Sequence, residues 1–428
     1  MSLKKIIEEA EGSAKEVAEV TSDLIKFNSS HPAGRTVECV EYIEKYFDRH
    51  GIPSEIHAKD PNKPNIVGKI GSRGKKILWL GHLDVVPEGK LESWKFPPYK
   101  GTISEGKVWG RGSSDMKGSC AAAMVSARIL SGLKTPNTVE FWFTSDEEIG
   151  GGDGAKWLSE TGKLKGDVCL IGDGEGGGYE NPSIDLGCKG GAGTKLIARG
   201  RTAHGSTPFL GDNAITKLIK VIPQVYKIGD YRLNVPPELS KPLRDSTKFY
   251  MSQAGTPEQV KAVKRLFYYP TVTCNIINGG VKTNVVPDYA EADFDIRLTP
   301  GVSESEVREE IDRLVKAANV PGVELDKTRI SKPVNSKADK AGFYESPNTN
   351  FMKQLSSTIR KATGKKPGVK ILTGGTDGVS TSKIAGIPSL GYGTIITGQA
   401  HQPSEYVTVE ALVLGVKVYA GFSHTYKG

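Results

Sequence analysis

No stretch of the chain approaches the roughly 20 consecutive apolar residues that a membrane-spanning helix needs. The charged opening Leu3-Lys4-Lys5-Ile6-Ile7-Glu8-Glu9 lacks the apolar core of a signal peptide. Both absences predict a cytoplasmic protein. Cysteine is scarce: Cys39, Cys120, Cys169, Cys188 and Cys274 are scattered, odd in number and form no C-x-x-C pair. That argues against a disulfide framework or a thiolate zinc site and leaves the thiols as small buried hydrophobes. The net charge of +8 over 428 residues is interspersed with acids, and no basic block carries interleaved aromatics. Nucleic acid is therefore not an expected partner. A mild positive field suits anionic small substrates instead. No G-x-x-x-x-G-K-[ST] occurs. Gly172-Asp173-Gly174-Glu175-Gly176-Gly177 has the G-x-G-x-x-G spacing, but Tyr179-Glu180-Asn181-Pro182 follows where a dinucleotide site requires a helix.

What is present is ordinary globular composition, 37% hydrophobic and 25% charged, in a chain long enough for two domains. Helical spacing runs over residues 16–27 and 37–50, strands over 65–70, 76–80, 139–143 and 168–171, and a buried helix over 119–130. This alternation predicts an α/β domain. Beyond Gly187 the pattern changes to strands at 194–198, 271–277 and 290–298 with helices at 213–228 and 303–318. The first of these helices carries Pro223, where a kink or break is expected. Residues 230–257 have no clear periodicity and read as an insertion. The α/β rhythm then resumes, with a helix at 348–363, a strand at 393–397 and a final helix at 410–422. One α/β domain (1–187 and 335–428) interrupted by a smaller α+β domain (188–334) is the simplest organisation.

The centre of interest is Trp142-Phe143-Thr144-Ser145-Asp146-Glu147-Glu148-Ile149-Gly150, an apolar strand running into three acids. α/β sheets place their chemistry at strand ends. His82 ends another strand, and Asp84 two residues later could accept the ring N–H that a metal does not use. Asp115 lies between Gly112 and Gly118, and Asp173 ends a further strand; His401 follows the strand placed at 393–397. Taken singly, each histidine reads as a packing or surface residue. Taken together, His82, Asp115, Glu148, Asp173 and His401 offer the N/O donors that zinc accepts, and a carboxylate can bridge two ions. Glu147 is then available to take a proton from water and deliver it to a leaving amine. Asp146 gains no role beyond a structural or solvated one.

Gly81-His82-Leu83-Asp84-Val85-Val86-Pro87, Gly110-Arg111-Gly112-x-x-Asp115-Met116-Lys117-Gly118, Ser145-Asp146-Glu147-Glu148-Ile149-Gly150 and Ala400-His401-x-Pro403-x-Glu405-Tyr406 together resemble the M20 metallopeptidases. That family includes acetylornithine deacetylase, succinyl-diaminopimelate desuccinylase, glutamate carboxypeptidase, aminoacylases and carnosinase-like dipeptidases. The resemblance covers nearly the whole chain. It implies a zinc-exopeptidase-like mixed sheet flanked by helices, with an inserted ferredoxin-like α+β lid and dimerisation domain. It also implies two zinc ions, with cobalt or manganese as substitutes, bridged by Asp115. One ion would add His82 and Asp173, the other Glu148 and His401. Asp84 would support His82, Glu147 would be the general acid and base, and a cis peptide would follow Asp115. In the inserted domain His204 would reach a neighbouring active site of a homodimer to stabilise the oxyanion. Asn284, Arg297, Gly375 and Thr376 would contact substrate. Gly378 departs from the family, many of whose deacylases carry arginine there. The expected activity is hydrolysis of the amide of a small peptide or N-acyl amino acid with a free carboxylate. The alternative is a non-catalytic binding homologue of the same fold.

Overall fold

The computed structural model describes residues 3–176, 178–326 and 340–428. The chain divides into two compact units, Met1–Gly187 with Tyr344–Gly428, and Cys188–Phe343. The expected boundary at 334/335 lies outside the described residues; the second unit extends to Phe343.

The first unit is built on a nine-stranded mixed sheet. Its middle strands Thr138–Thr144, Lys76–His82, Val168–Ile171 and Ser389–Gly391 run parallel, while Asn65–Ile70 and Ser54–His57 add antiparallel strands at one side. The two-residue period of a strand decides the layering. Leu78 and Leu80 point to a cluster with Trp142, Cys169 and Ile171 under the helix Ala155–Glu160. Trp79, between them, packs on Phe141, Phe143 and Tyr419 of the helix Val409–Thr425. The helix Gly118–Ser131 is buried almost all round, as its small apolar residues predict. Covered on both faces, the parallel strands bring His82, the acid stretch after Thr144, and Asp173 to one end of the sheet, their carboxyl end. The strand expected at 393–397 falls earlier, at Ser389–Gly391. Gly393–Thr397 is a loop with a single bridge from Thr394 to Glu175.

The second unit has the strand and helix order β-α-β-β-α-β: Thr194–Arg199, Ala214–Tyr226, Thr271–Gly279, Tyr289–Leu298, Glu304–Ala317 and Val323–Leu325. Its sheet order, with Tyr289–Leu298 and Thr194–Arg199 inside and Thr271–Gly279 and Val323–Leu325 outside, is that of the ferredoxin-like motif. Alternation is clean in Tyr289–Leu298, where Ala290, Ala292, Phe294, Ile296 and Leu298 are buried under the helices and their neighbours are partly open. Two irregular stretches take a definite form here. The helix Ala214–Tyr226 continues through Pro223 instead of breaking, since Leu218, Val221 and Val225 keep its apolar face on the core. The stretch 230–257, which shows no clear periodicity in sequence, holds the helix Ser240–Met251, and a second helix, Pro257–Arg265, follows it. The first buries little apolar surface, which hid its period. The second is announced by a Thr256/Gln259 capping box.

Candidate metal centre

Each loop that delivers a candidate ligand is shaped by local backbone chemistry. Gly112 takes a left-handed φ of +83°, a short turn follows, and the Asp115–Met116 peptide is cis, as expected from the resemblance. Asp146 is itself left-handed, φ +69°, and starts the single helical turn Glu147–Ile149. Its carboxylate is buried, bonded to Lys63 at 2.6 Å and to the Asp153 amide at 3.2 Å. Asp146 is therefore structural: it holds a strained turn that presents the next two acids. His401 is also left-handed, φ +63°.

These loops converge. His82 Nε2 lies 3.3 Å from Asp115 Oδ1, and His401 Nε2 lies 3.3 Å from Asp115 Oδ2 and 3.2 Å from Glu148 Oε2. Asp115 thus presents one oxygen to each histidine. Ligand atoms of His82, Asp115 and Glu148 lie within 4.8 Å of one another, and so do those of His82, Glu147 and Asp173. His82 is 1% exposed and His401 is 52% exposed, so the cluster has a deep end and a rim.

Asp84 sits beneath the cluster, but not as expected. His82 Nδ1 is 3.0 Å from the main-chain oxygen of Asp84 and 3.7 Å from its carboxylate. The carbonyl fixes the ring, leaving Nε2 free for a ligand role. The carboxylate of Asp84 instead accepts the amides of Glu147 and Glu148, each at 3.1 Å, and His31 Nε2 at 2.9 Å.

Burial and crowding set the charges. Burial drives the Glu147 carboxyl well above the ordinary range; Asp173, Asp377 and Glu148 add to the rise and His82 opposes it. Asp173 is driven up in the same way, by burial and then by Asp115. For Asp115 burial again opposes ionisation, but the rings of His401 and His82 outweigh it and hold the carboxyl below its usual range. His401 is pushed up to about 10 by its bonds to Asp115 and Glu148. Asp377, which accepts a bond from Thr144 Oγ1 at 3.1 Å, is raised to about 7, chiefly by burial.

A cation would answer this crowding. Asp115 Oδ1 and Glu148 Oε1 are buried without a hydrogen-bond partner among the described residues, and a mixed imidazole and carboxylate set suits zinc, cobalt or manganese.

Two further buried residues tie the loops together. Glu405 Oε1 accepts the amides of Ser114 and Asp115 at 2.8 and 2.9 Å; Oε2 accepts Gly112 N–H at 3.1 Å and Arg111 Nη1 at 2.7 Å. Arg111 also donates to the carbonyls of Gln402 and Pro87, both at 3.2 Å. One ion pair therefore joins the segments that carry Asp115, His401 and Asp84. Both residues lie inside the motifs quoted above, yet spacing alone assigns them no partner.

Of the expected substrate contacts in this unit, Gly375 is exposed and Thr376 closes its own turn, accepting Gly378 N–H at 3.2 Å. The others lie in the second unit. His204 and Asn284 are exposed neighbours across a two-strand ladder, with Gly205 N–H bonded to the Asn284 carbonyl at 2.7 Å. His204 Nδ1 receives Ser206 N–H at 3.2 Å and lies 2.7 Å from its hydroxyl, so Nε2 carries the ring proton outward. Arg297 gives its Nε to both oxygens of Asp295, at 2.8 and 3.1 Å.

Half-buried carboxylates gathered round the buried imidazole of His82, at the carboxyl end of parallel strands, are the architecture of a metal-dependent hydrolase. The chain belongs to peptidase family M20/M25/M40, whose profile matches residues 78–425. It is a hydrolase of the peptidase or amidohydrolase kind. A probable succinyl-diaminopimelate desuccinylase of Staphylococcus aureus is 29% identical over 76% of this chain and 79% of its own length. The succinyl-diaminopimelate desuccinylase of Pelagibacter ubique is 26% identical over 95% of this chain and 98% of its own. Among solved structures, an M20 family metallo-carboxypeptidase from Sulfolobus solfataricus superposes with a TM-score of 0.77 at 21% identity, covering 96% of this chain and 99% of that one. No helix among the described residues is long and apolar enough to cross a membrane.

Proposed function

We propose that this hydrolase uses two zinc ions to cleave the amide bond of a small peptide or N-acyl amino acid that carries a free carboxylate. The observation that carries the reading is the placement of Asp115, with one oxygen toward His82 and the other toward His401 and Glu148. His82, Asp173 and Asp115 would hold one ion, and Asp115, Glu148 and His401 the other; cobalt or manganese could substitute. Bound there, the ions supply Lewis acidity toward water and the amide carbonyl. Glu147, half-buried beside the cluster and made more basic by its surroundings, takes the proton of the attacking water and hands it to the leaving nitrogen. His204 offers an outward Nε2–H, the donor an amide oxyanion needs. Arg297 keeps its terminal nitrogens for a substrate carboxylate while Asp295 holds Nε. Asn284, Gly375 and Thr376 complete the substrate contacts. Gly378 supplies no cation, so the carboxylate depends on Arg297.

A homodimer formed through the second unit fits the exposed apolar residues on that unit's outermost long strand and beyond it. Ile276, Ile277 and Val281 are 53, 58 and 95% exposed. An open sheet edge of this kind invites pairing with another chain. His204 would act across that dimer.

The test is a panel of dipeptides, N-acetyl amino acids and N-succinyl amino acids offered to zinc-loaded protein. Turnover of at least one class, lost when the carboxylate is amidated, is expected. No turnover of any class would contradict the reading.

A further inference from the structure

We infer that His31 is a positioning residue for the acid turn, acting through Asp84 to fix the main chain of Glu147 and Glu148. This rests on the proposed roles of those two acids.

Asp84 is fully buried, and its carboxylate makes three contacts within 3.1 Å: His31 Nε2 and the amides of Glu147 and Glu148. A carboxylate can only accept, so His31 Nε2 is the donor. The amide of Glu148 and the ring of His31 share Oδ2, while the amide of Glu147 has Oδ1. The rotamer that serves both amides is thereby the one that His31 holds. Released from the ring, the carboxylate is free to turn toward His82 Nδ1, 3.7 Å from Oδ1, and one amide of the turn loses its acceptor.

The ring's own place is built with care. Residues 29–31 run beside 83–85: Val85 N–H reaches the Ser29 carbonyl at 3.2 Å, His31 N–H reaches the Val85 carbonyl at 3.2 Å, and Ser29 Oγ donates to the Leu83 carbonyl at 2.6 Å. Gly34, at φ +55°, leaves the room the imidazole occupies; a Cβ there would lie 2.6 Å from the ring's Cε1. The second ring nitrogen, Nδ1, is buried without a hydrogen-bond partner among the described residues. Among the described residues, the polar commitment of this side chain is therefore to Asp84. A histidine kept only to fill space would not need that contact; a leucine would serve.

The experiment compares His31→Leu, which keeps bulk without a donor, with His31→Gln, which keeps an N–H donor. Each is measured for kcat, KM and the visible absorption spectrum of the cobalt(II)-loaded protein. Outer partners of metal-site groups are worth about 10–100-fold in activity or metal affinity. His31→Leu is expected to lose about that factor in kcat with KM held within about twofold, and to change the cobalt spectrum as Glu148 shifts. His31→Gln is expected to recover most of both. Equal losses in the two variants would assign His31 to packing and overturn the inference, as would a wild-type kcat and spectrum in His31→Leu. If His31→Leu does not fold, His31→Gln decides alone: a wild-type spectrum supports the inference and an altered one overturns it. Because the spectrum needs only cobalt, it tests the inference even if no offered amide is hydrolysed.

Discussion

The two units hold their reactive residues in opposite ways. In the first unit His82, Glu147, Glu148, Asp115 and Asp173 crowd into a largely buried cluster, where burial and neighbouring charges raise the Glu147 and Asp173 carboxyls and the histidines lower that of Asp115. In the second unit His204 and Asn284 are exposed, and Arg297 is 40% exposed and already paired with Asp295. Buried charges require counter-charges, so each acid of the first unit is fixed by its neighbours and by whatever cation they share. Exposed donors carry no such debt. They fit a role toward a ligand or another subunit, where the free chain leaves them open.

The widest break in the comparison is expected from Asp115→Ala. It removes the carboxylate that presents one oxygen to each histidine, and elemental analysis should show the bound metal falling below two ions per chain, with turnover abolished. The same change made in the second unit should spare the metal. His204→Ala is expected to keep full metal content and to lose about 100–1,000-fold in kcat, the usual cost of an oxyanion donor. Co-expressed with Glu147→Ala, it should regain part of the activity, since a mixed dimer pairs one intact centre with one intact His204. No recovery would place His204 and Glu147 in service of the same subunit.

The smallest effect concerns stability. Lys189, fully buried in the second unit and bonded to the Leu266 carbonyl at 2.9 Å, is lowered to about 7 by burial and then by Arg297. A lysine pKa depressed on folding stabilises the fold fully above its unfolded value near 10.4, and that contribution is lost as pH falls through the folded value. Thermal melts should therefore rise in midpoint from pH 7 toward pH 10, and Lys189→Met should flatten that rise.

How much of this was legible in the sequence follows the same division. The acid stretch, His82, Asp115, Asp173 and His401 were placed at strand ends or in glycine-flanked turns, so pattern alone pointed to them, although the strand assigned before His401 proved to be a loop. In the second unit three strands and two helices were legible from pattern; the ferredoxin-like order came from the family resemblance, and the short strand Val323–Leu325 was not read. Partners brought by distant loops were not. His31 lies 53 residues from Asp84, in a segment with no periodicity, and nothing in an H-x-D spacing tells whether the histidine uses the carboxylate or the carbonyl. Glu405 and Arg111 were visible as motif letters, but their pairing spans 294 positions. The helix Ser240–Met251 escaped because it buries too few apolar residues to show a period.

Glu147 and Glu148 are adjacent in sequence, yet the account gives them different work, one moving protons and one binding a cation. The direct test is Glu147→Ala, with metal content and kcat measured on the same preparation. The account predicts two ions per chain, as in the unaltered protein, and a fall in kcat of about 100–10,000-fold, the range for a lost general base. Unchanged turnover, or loss of bound metal in step with activity, would contradict it.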